Sequence, residues 1–304
     1  MAEANVTLSN IFGALELKVG RQFYGDENST VMYYGPTHYK NVPSTITPAL
    51  PPVIPTSNIQ DSQSLDAAVL SYTSDKFAAN IIYGKITETA SDYDDDESLL
   101  GLDAKYNVSD ALALQAYLFD YAYPALNNHL GIWGVKPTYK DDALNLAVEF
   151  AKNYTGNKAF ASSNKGWMVK ADAGIDVAFE SMDITPRVSY IHSEKDFQAN
   201  GNYMPGLLIS YGLGQLFRGS GDVRIINGGL DIKFASLEKW NFALDYFGAS
   251  NDYGTGMEWF GNEFDLMAKY ALNEYVELHG ALGILTNADE THPYTGQLGM
   301  IVRF

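Results

Sequence analysis

The sequence contains no cysteine, and none of its apolar runs approaches the roughly 20 residues that a membrane-spanning helix needs. The first absence removes disulfide frameworks and thiolate chemistry. The second removes a helical membrane protein, since even the run HGALGIL at 279–285 is far too short. Basic residues are scarce as well: 20 Lys and Arg stand against 37 Asp and Glu, a formal net charge of −17. Such a balance lacks the basic stripe that nucleic-acid binding requires, so no nucleic-acid partner is expected. The first ten residues, MAEANVTLSN, have neither a basic n-region nor an apolar h-region, and do not read as a signal peptide.

Signatures of covalent chemistry are missing too. His38, His129, His192, His279 and His292 show no i, i+4 pairing and no His-Glu-x-x-His spacing, so no metal site is expected. The stretch IHSEKD places His192, Ser193, Glu194 and Asp196 together, but neighbours in a strand point to opposite faces and cannot form one triad. No Gly-x-Ser-x-Gly turn and no phosphate-binding loop with its Lys is present. Neither catalysis nor a cofactor is expected.

What the chain does have is aromatic residues and glycine: 21 Tyr, 15 Phe, 4 Trp and 27 Gly, which suit a barrel with aromatic girdles, tight turns and a wet interior. Alternation of apolar and polar residues recurs in segments of about ten, the length of a tilted transmembrane strand. In 166–179, Val169, Ala171, Ala173, Ile175, Val177 and Phe179 share one face, against Lys170, Asp172, Gly174 and Asp176 on the other. Segments 144–150 and 240–246 repeat the pattern. Connections alternate between very short ones, such as Asp141-Asp142 and Asn273-Glu274, and longer ones at 26–62, 90–97, 124–128, 155–164, 197–222, 250–257 and 287–293. Tight turns on one rim and long loops on the other are how transmembrane barrels are built, with the short turns periplasmic.

These patterns predict an all-β, antiparallel transmembrane barrel of the bacterial outer membrane, with residues 1–304 as one domain. About 15 strands are visible, from near Asn5 to a last segment that places Leu298, Met300, Val302 and Phe304 on one face. The odd number conflicts with the even strand count usual for bacterial barrels. Either strands are missing at the N-terminal side, or the segment 197–222 hides a strand pair or folds inward. Outer-membrane lipid and lipopolysaccharide are the expected surroundings, and the strand ending at Phe304 is expected to engage the barrel-assembly machinery. Loop 26–62, with Pro43, Pro48, Pro51, Pro52 and Pro55 among its residues, reads as an extended surface loop. SDYDDDE at 91–97 reads as a solvated loop, lacking the Gly and spacing of a calcium loop.

Two stretches resemble the alginate-export family of outer-membrane barrels. LSNIFGALELKVGRQFYGD at 8–26 is similar to that family's strand, tight turn and strand ending in Gly-Arg-Gln before Tyr-Gly-Asp. GNEFDLMAKYALNEYVELHGALGIL at 261–285 looks like its late hairpin. The resemblance implies a monomeric barrel of 18 strands that carries an anionic polysaccharide through an arginine-rich constriction. Eighteen less fifteen leaves an odd three, which agrees with missing strands. The chain departs from the family in having only five Arg.

Alternation drafts the lumen. Inward cations are expected at Lys18, Lys105, Lys136, Lys170, Arg187, Lys233, Lys269 and Arg303. Inward anions are expected at Asp103, Glu149, Asp172, Asp176, Asp231, Asp245, Glu263, Asp265 and Glu277. Arg21 is taken as pore-lining on its match to the family's Gly-Arg-Gln, although strict alternation with Leu15, Leu17 and Val19 puts it on the lipid face. It must then lie at the strand's outer end or at a bulge turned into the lumen. In the Gly-rich GQLFRGSGDVR, Arg218 and Arg224 are expected at a constriction formed by an inward-folding loop. The expected function is passive passage of small solutes or an anionic oligo- or polysaccharide. The alternative is a plugged barrel acting as adhesin, receptor or lipid-active enzyme.

Overall fold

A computed structural model describes residues 3–26, 29–35, 64–87, 97–123, 128–155, 165–199, 201, 206–209, 222–252, 258–287 and 292–302. Their strands are β1 (Ala4–Ile11), β2 (Leu15–Gln22), β3 (Tyr24–Gly25), β4 (Tyr33–Tyr34), β5 (Leu65–Thr73), β6 (Phe77–Thr87), β7 (Glu97–Asn107), β8 (Leu112–Tyr123) and β9 (Asn128–Lys140). There follow β10 (Leu144–Thr155), β11 (Trp167–Ile175), β12 (Val177–Ala178), β13 (Met182–Ser193), β14 (Asp222–Phe234), β15 (Trp240–Asp252), β16 (Glu258–Ala271), β17 (Val276–Asn287) and β18 (Tyr294–Val302). All but β3 and β4 belong to one sheet in which neighbours in sequence are neighbours in space. Since β12 continues β11 beyond Asp176, fifteen strands lie side by side, the number that alternation predicts. Every pairing is antiparallel, so β1 and β18 run in the same direction, and among the described residues each is paired on one side only.

The alternation is realised in three dimensions. On β10, Glu149, Ala151 and Asn153 are buried while Leu146, Val148 and Tyr154 are exposed. On β17, His279, Ala281 and Leu285 are buried between exposed Leu278, Leu282 and Ile284. Exposed Leu, Ile, Val and aromatic residues recur on every long strand, always on this outer face. Fully burying such a side chain is worth about 1.5–3 kcal/mol. An apolar band of this extent therefore belongs in lipid, and the strand ladder satisfies the backbone there. Leu298, Met300 and Val302 lie on that face of β18 as expected, while Arg303 and Phe304 lie outside the described residues.

The short connections predicted from sequence all appear between strands on one rim, and the longer ones on the other. One expectation fails. The first part of loop 26–62 is not a surface loop: β3 and β4 form a small hairpin, Tyr24 opposite Tyr34 and Gly25 opposite Tyr33, and Val31, Met32 and Tyr34 are buried. They join Phe197, Leu208 and Ile209 in a cluster with inward side chains of the wall, among them Leu65, Ile82, Tyr121, Ile132 and Ile225. The sheet thus curves around two chain segments that fold inside it. The rest of that loop, and 91–96 of the acidic stretch, lie outside the described residues.

Candidate pore and its inward segments

Lys18, Lys105, Lys136, Lys170, Arg187, Lys233 and Lys269 all fall on the inward register of their strands. So do Asp103, Glu149, Asp172, Asp231, Asp245, Glu263, Asp265 and Glu277. Asp176, exposed in the gap between β11 and β12, is on the same side: it accepts hydrogen bonds from Asn145 Nδ2 at 3.1 Å and Thr185 Oγ1 at 2.6 Å, both residues of the inward register. Arg303 and Arg218 are outside the described residues.

Two arginines need correction. Arg21 points outward beside exposed Val19, at the long-loop end of β2, and pairs with Asp66 on the neighbouring strand at 3.0 and 2.6 Å. Gln22 is the inward residue of Gly-Arg-Gln. It is buried, and its amide donates to the carbonyl of Ala67 at 2.8 Å. Of the two alternatives left open for Arg21, the outer strand end is therefore the one realised, and the residue lines no lumen. Arg224 belongs to β14 rather than to a constriction loop; it is exposed on the outer face, while its neighbours Val223 and Ile225 are buried.

The inward segments are held by specific partners. Thr30 Oγ1 donates to Glu149 Oε2 and Tyr117 Oη to Glu149 Oε1, each at 2.7 Å. Asn153 and Gln198 exchange a pair of hydrogen bonds, Nδ2 to carbonyl at 2.9 Å and backbone N–H to Oδ1 at 2.8 Å. In the turn 206–209, the N–H groups of Leu207, Leu208 and Ile209 donate to the Glu263 carboxylate at 2.7, 2.6 and 2.6 Å, and Leu207 also reaches Asp265 at 3.1 Å. Gly206 opens this turn with φ +71°, and a Cβ there would collide with Glu263. A side chain at Gly201 would overlap the backbone of Ser29 and Thr30, so the two inward segments touch.

Beside Glu263, Asp265 lies directly opposite Asp245, both buried. Arg187 offsets part of this charge: its guanidinium contacts Asp245 at 2.7 Å and Asp231 at 2.9 Å and donates to Asn227 Oδ1 at 3.2 Å. On the other side of the lumen, a cavity of about 470 Å³ remains between the hairpin and the wall. Lys18, Asn80, Asp103, Gln115, Tyr117, Lys136 and Glu149 line it together with Tyr24 and Val31. Gln115 holds Asp103 through bonds of 2.9 and 3.0 Å. Interleaved signs of this kind make a polar path without a ring of one charge.

Solved structures share this architecture. OccD3 (OpdP) of Pseudomonas aeruginosa superposes with a TM-score of 0.62 at 11% identity, over 99% of this chain and 77% of that one. The outer membrane protein OprD of Pseudomonas aeruginosa gives 0.57 at 14% identity, over 95% and 74%. The chain has the fold of outer-membrane porin barrels. A structure described as a bacterial polysaccharide outer membrane secretin gives 0.51 at 10% identity, over 96% and 86%. No protein-family model and no curated protein sequence matches the chain.

Sequence reasoning missed Thr30, Tyr117, Asn153, Asn227 and the backbone of 207–209. One signal was present: on the loop-side half of many strands the inward positions turn apolar, as at Leu65, Ala67 and Val69 or Tyr117, Phe119 and Tyr121. An inner wall that is apolar at one end requires something inside to cover it.

Proposed function

We propose that this protein is an outer-membrane porin that passes small solutes by diffusion past its inward segments. One observation carries the reading: beside the apolar contacts of the hairpin, a polar cavity lined by Lys18, Asp103, Lys136 and Glu149 remains. Solute moving there meets both signs of charge and several hydrogen-bonding groups, as in a selective pore rather than a greased plug. The full chain refolded into a planar bilayer is expected to give stepwise ion current. A folded barrel that stays silent at every applied voltage would sink the porin reading.

An anionic oligo- or polysaccharide as cargo is a narrower form of the same proposal. It draws support from the family resemblance of segments 8–26 and 261–285 and from the described secretin with its similar fold. It predicts anion preference in the reversal potential across a salt gradient; cation preference would confine the cargo to other solutes. A plugged barrel serving as adhesin, receptor or lipid-active enzyme is favoured by the apolar packing of Val31, Met32, Phe197 and Ile209 inside the wall. The silent-bilayer outcome would favour it.

A further inference from the structure

We propose that the outer face of the long-loop rim, from β10 to β16, carries a binding site for the phosphorylated headgroup of an outer-leaflet lipid. The site is a contiguous run of outward side chains. Lys152 is paired across strands with Trp167, whose ring meets His192 edge-on at 4.9 Å between centroids. His192 lies directly opposite Arg224, Arg224 opposite Ser250, and Ser250 opposite Trp259. Each of these residues is within four positions of the long-loop end of its strand. Their outward direction follows from the chain neighbours Ala151, Asn153, Ile191, Ser193, Val223 and Ile225, which are buried inside.

Position and charge select the ligand. A cation on the lipid face costs about 2–4 kcal/mol at the bilayer midplane but only about 0–1 near the interface. Trp residues favour that same level, where one end of the ring is wet. Elsewhere on this rim two basic side chains already have a carboxylate partner within the protein: Arg21 has Asp66, and His129 has Asp120 at 2.8 Å. Among the described residues, neither Lys152 nor Arg224 makes an ion pair. The nearest acids along these strands, Glu194, Asp222 and Asp252, are two positions further toward the loops than His192, Arg224 and Ser250, and Asp222 already accepts the N–H of Lys195 at 2.6 Å. A phosphate approaching from the lipid side therefore meets Lys152 and Arg224 first, on either side of the Trp167–His192 ring pair. Arg offers it a fork of donors and Lys a point charge, while Trp167 and Trp259 flank the acyl boundary. In a chain of net charge −17, two cations placed beside lipid with no ion pair among the described residues fit a partner of opposite sign.

The test uses the full chain refolded in zwitterionic detergent, titrated with bis-phosphorylated lipid A, with the same lipid lacking phosphates, and with inorganic phosphate. Thermal melting of the barrel and Trp fluorescence report binding. Phosphorylated lipid A should raise the melting temperature, with the dephosphorylated lipid and inorganic phosphate far less effective. The Lys152→Gln/Arg224→Gln double variant should bind on the order of tenfold more weakly or worse. Arg21→Gln, at the same rim but at a paired position, should leave binding unchanged. Arg224→Gln alone, expected to show a smaller loss, serves if the double variant does not fold. Equal affinity in wild type and variant, an equal effect of the dephosphorylated lipid or of free phosphate, or an equal loss in Arg21→Gln would each overturn the proposal. The readout is independent of conduction, so a silent barrel would leave this test intact.

Discussion

Two carboxylates hold chain segments inside this barrel, and they do so differently. Glu149 on β10 is held by hydroxyls, those of Thr30 and Tyr117, at the edge of a polar cavity. Glu263 on β16 instead accepts three consecutive backbone N–H groups, and no side chain in 206–209 has to be polar for it to do so. Leu207, Leu208 and Ile209 are accordingly apolar and buried. Backbone capture fixes the segment's path, whereas a hydroxyl contact fixes one rotamer. The β16 side of the lumen is thus the anchored side. The β8–β10 side, with its polar cavity, is where a solute finds room.

Removing the anchor is the strongest way to break this contrast. In Glu263→Ala, the buried N–H groups of Leu208 and Ile209 lose their acceptor while that of Leu207 keeps Asp265; at about 1 kcal/mol or more for each orphaned group, the barrel should lose about 2 kcal/mol or more of stability. The released turn should also change single-channel conductance by at least about twofold and open a protease-sensitive site near Gly206. Unchanged conductance together with unchanged proteolysis would show that the turn does not depend on Glu263. Thr30→Val probes the other side. Glu149 keeps its bond from Tyr117, so the loss should be near 1 kcal/mol, with the hairpin still in place. If Thr30→Val destabilises as much as Glu263→Ala does, the two sides are anchored alike and the contrast fails.

The same comparison shows what the sequence could and could not reveal. The inward acids and lysines were legible because period-two alternation leaves no freedom: once Val148 and Phe150 face lipid, Glu149 must face the lumen. Arg21 was misplaced when a family motif was preferred to that alternation, and its ion pair with Asp66 explains how a charge is tolerated outside. Arg224 was misread for a different reason. Around it Val223, Ile225 and Ile226 are apolar on both faces, since the inner face there is covered by the inward segments. With both faces apolar, the period disappears and a strand reads as loop. The anchoring at Glu263 left no trace in 206–209, because backbone donors are the same for every residue but proline.

A third carboxylate tests whether environment or donor type gives the Glu263 contact its strength. Asp141, in the turn between β9 and β10 and outside the membrane-spanning strands, accepts the N–H groups of Ala143 and Leu144 at 2.9 and 2.7 Å and the hydroxyl of Tyr139 at 2.8 Å. Those donors, led by the Leu144 N–H, hold its carboxyl below the usual carboxylate range. A depressed value means that the folded state favours the ionised form. The stabilisation is therefore fully present above the ordinary aspartate range and is lost as pH falls through the folded value. Asp141→Ala should then be less stable than wild type at neutral pH and equal to it in acid, by a margin well below that of Glu263→Ala, since water competes for every bond in this exposed turn. Urea unfolding of both barrels across an acid-to-neutral series would read the margin. A loss at Asp141 as large as at Glu263 would mean that backbone donors alone account for the anchor. A much smaller one assigns its strength to burial inside the barrel.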